Sequence, residues 1–209
     1  MSALPNGWAR APLGELGEWV GGGTPNKSVA AYWNGEIPWI SPKDMKVERV
    51  TDAEDHISEA AVVESATRLL PEGSVLVVTR SGILRHTLPV AVTDRAVALN
   101  QDLKALTPAR GVDASYVAWA MRANGERILR GCSKAGTTVS NIETSRLLRF
   151  EIPIPPLAEQ QRIVATIEEH LSRIEGAKRS FANSTRAVNH VAANGDGSCR
   201  RARKRNPAR

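Results

Sequence analysis

Ile152-Pro153-Ile154-Pro155-Pro156-Leu157-Ala158-Glu159-Gln160-Gln161-Arg162-Ile163-Val164 is the stretch that divides this sequence. Three prolines in four positions end whatever ladder precedes them, because proline fixes φ and has no N–H to donate. Pro156 then suits the opening of a helix, where a first-turn N–H needs no partner. From Leu157 to about Val188 apolar residues recur three and four apart: Val164, Ile167, Leu171, Ile174, Phe181 and Val188, with Ile163 widening the stripe. Lys178 and Thr185 fill the seam between the later members. A helix of that span is about 48 Å long. It has no means of burying such a stripe alone, so it calls for a partner helix. Folding back on its own domain is the competing arrangement, against which the proline joint speaks.

Upstream, residues 1 to about 152 read as a mixed α/β domain. Segments 74–79 (SVLVVT), 88–93 (LPVAVT), 102–107 and 150–154 are predicted strands, the first two rich in valine. Helical turns are predicted near 58–69, with Ser58 as cap, and over 113–130, with Asp113 as cap. Gly125 inside the second span counts against one unbroken helix, and Gly131 stops it. Downstream, residues 189–209 show no periodicity and finish in an arginine-rich run, the pattern of a disordered tail or of an appended remnant.

Composition excludes several function classes. The chain has 209 residues and a formal net charge of +6. That excess lies in Arg200, Arg201, Arg203, Lys204, Arg205 and Arg209, and without them 22 basic residues face 22 acidic ones. Bulk charge is therefore no argument for nucleic-acid binding by the body, which would need a local basic face. No apolar run is long enough for a membrane span. The first residues lack the charged and apolar regions of a signal peptide, so a cytoplasmic location is expected. Cys132 and Cys199 are too far apart in sequence to form a framework or a metal pair. His56, His86, His170 and His190 share no metal-binding spacing.

Catalytic motifs fail in detail. Residues 21–28 (GGGTPNKS) approach a phosphate-binding loop, but Asn26 replaces the required glycine and Pro25 removes a cradle N–H. Cys132 has no evident histidine–acid pair to activate it and reads as a structural thiol. No G-x-S-x-G elbow occurs. Pro155-Pro156-Leu157 lacks the asparagine and aromatic of an adenine-methylating site.

The order of segments resembles a known family. Leu4-Pro5-Asn6-Gly7-Trp8, Pro12-Leu13-Gly14-Glu15-Leu16, Gly22-Gly23-Thr24-Pro25 and the run from Tyr32 to Ser41 with Asp44 come first. Leu70-Pro71-Glu72-Gly73-Ser74-Val75-Leu76, Arg80-Ser81-Gly82-Ile83, Asn100-Gln101, Gly136-Thr137-Thr138 and Asn141-Ile142 follow, then the proline segment quoted above. Each piece is weak alone; their joint order over residues 4–175 resembles the target-recognition domain and following helix of type I restriction-modification specificity subunits. The resemblance implies a mixed α+β recognition domain (1–152) and a long projecting helix (153–188) that forms an antiparallel coiled coil, followed by a basic tail (189–209). It implies a non-catalytic, sequence-specific reader of double-stranded DNA that directs methylation and cleavage to a split target. No cofactor belongs to this chain; S-adenosylmethionine, ATP and Mg are expected on the methylation and restriction subunits that partner it. Full-length members carry two recognition domains and two helices, whereas this chain has one of each. It is either a truncated half or one member of a homodimer paired through the helix, and a two-fold pair reads a palindromic split site.

The resemblance does not supply base contacts, which come from chemistry instead. Arginine and lysine contact phosphates or the guanine edge, and asparagine suits adenine. Lys43, Lys46, Arg80, Arg85, Lys134, Thr137, Thr138 and Asn141 lie in polar loop segments and are the DNA-binding candidates. Solvated surface charge, or a structural turn at Gly136-Thr137-Thr138, is the other reading of these residues. Ile163, Val164, Ile167, Leu171, Ile174 and Phe181 are the helix-interface candidates. The five tryptophans are expected in packing rather than stacked on bases. Two other functions compete: a truncated interaction protein that docks methylation or full-length specificity subunits without reading DNA, and a free-standing nuclease, for which no constellation is found.

Overall fold

The computed structural model describes residues 4–134 and 140–199, with side chains of the last helix described through residue 181. In chain order the elements are β1 (Ala9–Pro12), β2 (Gly17–Gly21), β3 (Ile37–Ile40), β4 (Arg49–Val50), β5 (His56–Ile57), α1 (Glu59–Glu64), β6 (Leu69–Leu70) and β7 (Val75–Val78). They continue with β8 (Val90–Thr93), β9 (Val97–Leu99), β10 (Leu103–Pro108), α2 (Ala114–Ala123), α3 (Gly125–Cys132), α4 (Thr144–Leu148), β11 (Glu151–Ile154) and α5 (Leu157–Cys199). The fold is mixed α/β with a long C-terminal helix, as the sequence predicts. Internal contacts divide the chain into two compact units, Met1–Val164 and Ala165–Arg209.

A five-stranded sheet in the order β2-β10-β7-β8-β4 forms the centre of the first unit. Every residue of β7 (VLVV) and β8 (VAVT) is buried, which explains the continuous apolar runs. α2 packs on these two strands through Val117, Ala118 and Met121. A smaller sheet, β5-β3-β9-β6, carries a satellite core of Trp39, Ile57, Ala61 and Ala98. The first strand pairs antiparallel with the last, Ala9 opposite Ile154 and Pro12 opposite Glu151. Pro153 therefore lies inside β11, opposite Arg10, rather than ending the strand. It is tolerated because β11 has only one neighbour, so the missing N–H costs no ladder bond.

Helix caps are where the sequence puts them, and some helix lengths are not. The Ser58 hydroxyl accepts from Ala61 N–H, and the Asp113 carboxylate accepts from Tyr116 N–H at 2.8 Å. α1 stops at Glu64, short of the predicted 69, because Leu69 and Leu70 pair with Ala98 and Val97 of β9. The predicted helix 113–130 is two helices broken at Asn124, beside Gly125, and the second runs through Gly131 to Cys132 rather than stopping at that glycine. α5 runs on to Cys199 rather than ending near Val188; Ala192 and Ala193 are strong helix formers there. Residues 189–199, predicted as irregular tail, are thus helical, and 200–209 lie outside the described residues.

The opening of α5 belongs with the first unit. Gln160 is fully buried. Its carbonyl accepts from Asp113 N–H at 2.8 Å, and its amide donates to Pro155 O at 2.9 Å and Gly111 O at 3.1 Å. Trp8 Nε1 donates to Glu159 at 3.2 Å. The other tryptophans are likewise occupied within the protein. Trp39 donates to Gly23 O at 3.0 Å, Trp33 stands edge-on to Trp39 at 5.1 Å, and Trp19 donates to Leu13 O. Trp119 lies beneath the Arg122 guanidinium at 4.6 Å. These rings pack and anchor loops, as their apolar area suggests.

Candidate nucleic-acid interface

Three loop segments carry the described DNA-binding candidates, and each is held by its own short-range bonds. In the first, Asp44 accepts from Ser41 N–H and Ser41 Oγ at 2.9 and 2.8 Å, closing a tight turn. That turn presents Lys43 and Lys46. Lys43 Nζ lies 2.9 Å from Asp55 and 3.0 Å from Glu54, and these bonds, Asp55's first, push its pKa upward. Lys46 is exposed and makes no ion pair among the described residues.

The second segment leaves the end of β7. Ser81 Oγ accepts from Ile83 N–H and caps a short 3-10 helix, Gly82–Arg85, whose Arg85 is exposed. The third comprises residues 133–134 and 140–142. Arg80 and Asn141 form an antiparallel bridge, as do Ser133 and Ile142. Ser81 N–H donates to Ser140 O, Ile142 N–H to Thr79 O and Lys134 N–H to Asn141 O. Arg80, Lys134 and Asn141, scattered in sequence, are thereby side by side. Thr137 and Thr138 lie outside the described residues.

An open groove of about 900 Å3 joins the first two segments. Lys43 and Lys46 line one part; Ser81, Ile83 and His86 line another; Arg122 reaches in from α2. Arg122 donates through Nε and Nη2 to Val90 O at 3.0 and 2.6 Å, and through Nη2 to Glu48 O at 3.1 Å. Burial pulls its pKa below the usual arginine value, the Glu48 charge opposing. It ties the lysine-bearing segment to β8. Sequence reading missed it, because an arginine on a helix looks like solvated surface. Asp102, which holds Arg80 Nε, was missed for a similar reason: it reads as the first residue of a strand.

Burial raises the Cys132 thiol pKa, which suits an inert structural cysteine. Among the described residues no group of three or more histidine, cysteine or acidic side chains is placed to hold a metal. No described helix is long and apolar enough to cross a membrane.

Along α5, Val164 is buried and Ile163, Ile167 and Leu171 are half-buried. Ile174 is 50% exposed and Phe181 77% exposed. Glu169 and Arg173, like Glu175 and Arg179, pair one turn apart along the helix.

Comparison with known proteins gives the family and the fold. The family profile described as the type I restriction modification DNA specificity domain matches residues 5–180. The chain is 44% identical over 158 residues to the EcoR124I/EcoR124II specificity subunit of Escherichia coli, covering 75% of this chain and 39% of that protein. It is 30% identical over 179 residues to the MjaIX specificity subunit of Methanocaldococcus jannaschii, covering 84% and 40%. The chain thus spans about two-fifths of the length of these relatives. In fold it is similar to the HsdS subunit from Thermoanaerobacter tengcongensis, with TM-score 0.65 and 23% identity over 86% of this chain and 41% of that one. A chain from a study of assembly and conformational transition of the type I R-M system gives TM-score 0.71 at 22% identity, covering 91% and 45%. With a family profile that matches most of its length, the chain belongs to the type I restriction modification DNA specificity domain family.

Proposed function

We propose that the chain is a non-catalytic reader of double-stranded DNA in a type I restriction-modification assembly. It presents Lys43, Lys46, Arg80, Arg85, Lys134, Thr137, Thr138 and Asn141 to the duplex. In this reading residues 1–152 are the recognition domain, the long helix after the proline segment is the docking element, and the arginine-rich run 200–209 is a basic appendage. The observation that carries it is the assembly of Arg80, Lys134 and Asn141 at one place by backbone bridges, with the lysine segment sharing a groove with the stretch that follows Arg80. Methylation with S-adenosylmethionine, and ATP- and Mg-dependent cleavage, belong to partner subunits; this chain needs no cofactor of its own.

The helix supplies the second half of the proposal. Ile163, Val164, Ile167, Leu171, Ile174 and Phe181 form a stripe whose later members are solvent-exposed. Pairing that stripe antiparallel with a second copy buries it and gives a two-fold reader of a split, palindromic site. The same helix is the docking element for the methylation subunit.

Salt titration of binding tests the interface. Lys46→Ala is expected to weaken binding to all duplexes and to lower the slope of log affinity against log salt by about 0.9, as loss of one phosphate contact does. An unchanged slope for both Lys46→Ala and the Lys43→Ala/Lys46→Ala pair removes this segment from the interface. Absent DNA binding with intact association to the methylation subunit favours a docking protein that reads nothing.

A further inference from the structure

We propose that Asp102 is a specificity-positioning residue: it holds the Arg80 guanidinium so that its two terminal nitrogens read a guanine in the major groove. The inference rests on the DNA-reading function above and adds which kind of contact Arg80 makes.

Arg80 is fixed from both sides of its backbone. Its N–H and that of Thr79 both donate to Asp102 O, at 3.1 and 2.8 Å, and Thr79 Oγ1 donates to the same oxygen at 3.0 Å. On the other side stand the bridge to Asn141 and the bond from Ile142 N–H to Thr79 O at 2.7 Å. Asp102 is itself set by a turn in which its N–H donates to Asn100 Oδ1 at 2.9 Å.

The side chains continue this arrangement. Arg80 Nε donates to Asp102 Oδ1 at 2.5 Å, and the arginine side chain is 50% exposed against 22% for the aspartate. The carboxylate therefore grips the inner edge of the guanidinium. Among the described residues no other hydrogen bond engages Arg80's side chain, so the terminal Nη1 and Nη2 remain for a ligand.

A phosphate contact gains little from this grip. It needs charge, which Asp102 partly cancels, and it tolerates many side-chain orientations. Guanine is different: its O6 and N7 accept two parallel N–H bonds only from a fork held in one plane. A buttressed fork meets that requirement before DNA arrives.

The test is selection of bound duplexes from a randomised pool by the full chain, Arg80→Lys and Asp102→Asn, each also followed by thermal unfolding. Asparagine keeps the size of Asp102 and the backbone carbonyl bonds while losing the charge. The native chain is expected to prefer guanine at one position by about tenfold or more, and to lose that preference when 7-deazaguanine removes N7. Asp102→Asn is expected to reduce the preference at that position alone to less than about threefold, with unchanged preferences elsewhere and an unchanged unfolding midpoint. Arg80→Lys should do the same.

Three results overturn the proposal. Full guanine preference in Asp102→Asn denies the positioning role. An Arg80→Lys effect spread evenly over all sequences, with a salt slope smaller by about 0.9, makes Arg80 a phosphate contact. No sequence preference in the native chain removes the DNA-reading function itself.

Discussion

Gly22→Ala is expected to cost more than about 3 kcal/mol, above the usual range for overpacking, and to leave little folded protein at physiological temperature. Gly22 follows directly on β2, and a Cβ built on it would lie 1.9 Å from Asn100 O and 2.5 Å from Asn100 C and Leu99 O. All three are backbone atoms, so no rotamer change relieves the clash. The loop must shift, breaking Gly22 N–H to Leu103 O and Gly23 N–H to Leu99 O. It would also displace the 100–102 turn that anchors Arg80, so the proposed DNA reading is expected to fall with stability. Against a total of about 5–15 kcal/mol for a domain, the loss is large. Urea unfolding measures it, with Gly131→Ala as contrast. That glycine lies in α3 with nothing within 4 Å of a new Cβ, and alanine there should stabilise by up to about 1 kcal/mol. Equal midpoints for Gly22→Ala and the native chain would mean that the close approach does not exist.

Gln160→Leu is the second large effect, expected at about 2 kcal/mol or more. Pro155 O is buried and loses its donor outright, while Asp113 N–H and Gly111 O are open enough for water to replace part of what they lose. Leucine fills a similar volume but leaves Asp113 N–H, Gly111 O and Pro155 O without their partner. Leaving one buried polar group unpaired costs about 1–3 kcal/mol. Gln160→Glu separates charge from volume. It keeps an acceptor for Asp113 N–H but turns a carboxylate toward two carbonyl oxygens. Only the protonated acid donates there, so the introduced carboxyl has a folded-state pKa raised above its unfolded value of about 4.3. The native state then holds the proton more tightly than the unfolded chain. The deficit of this variant should therefore be greatest at neutral pH and shrink as pH falls through the raised pKa toward the unfolded one. Urea midpoints at about pH 5 and about pH 7.5 read this directly. A deficit independent of pH would show that the side chain escapes to solvent.

Much of the fold was legible because local and tertiary demands coincide. The valine runs of β7 and β8 are continuous because both faces are covered. Ser58 and Asp113 cap helices through bonds that depend only on their own neighbours. What escaped depends on distant partners. The two-residue strands β4, β5 and β6 exist only because β8, β3 and β9 offer edges to them. Arg80 and Asn141 each stand out by side-chain chemistry alone; nothing between them in sequence signals that they are bridged. Asp102 and Arg122 carry no local signature at all, since each acts on a segment far from it in the chain.

Methylation mapping decides whether this chain reads DNA and whether it does so as a pair. The chain is co-expressed with its cognate methylation subunit in a host free of DNA methylation, and the host DNA is sequenced for modified adenine. The expected result is a new, symmetric, two-part methylated motif, the product of two recognition domains related by two-fold pairing of the helix. No new methylation, with both proteins soluble and associated, would contradict this and leave a docking protein that reads no DNA.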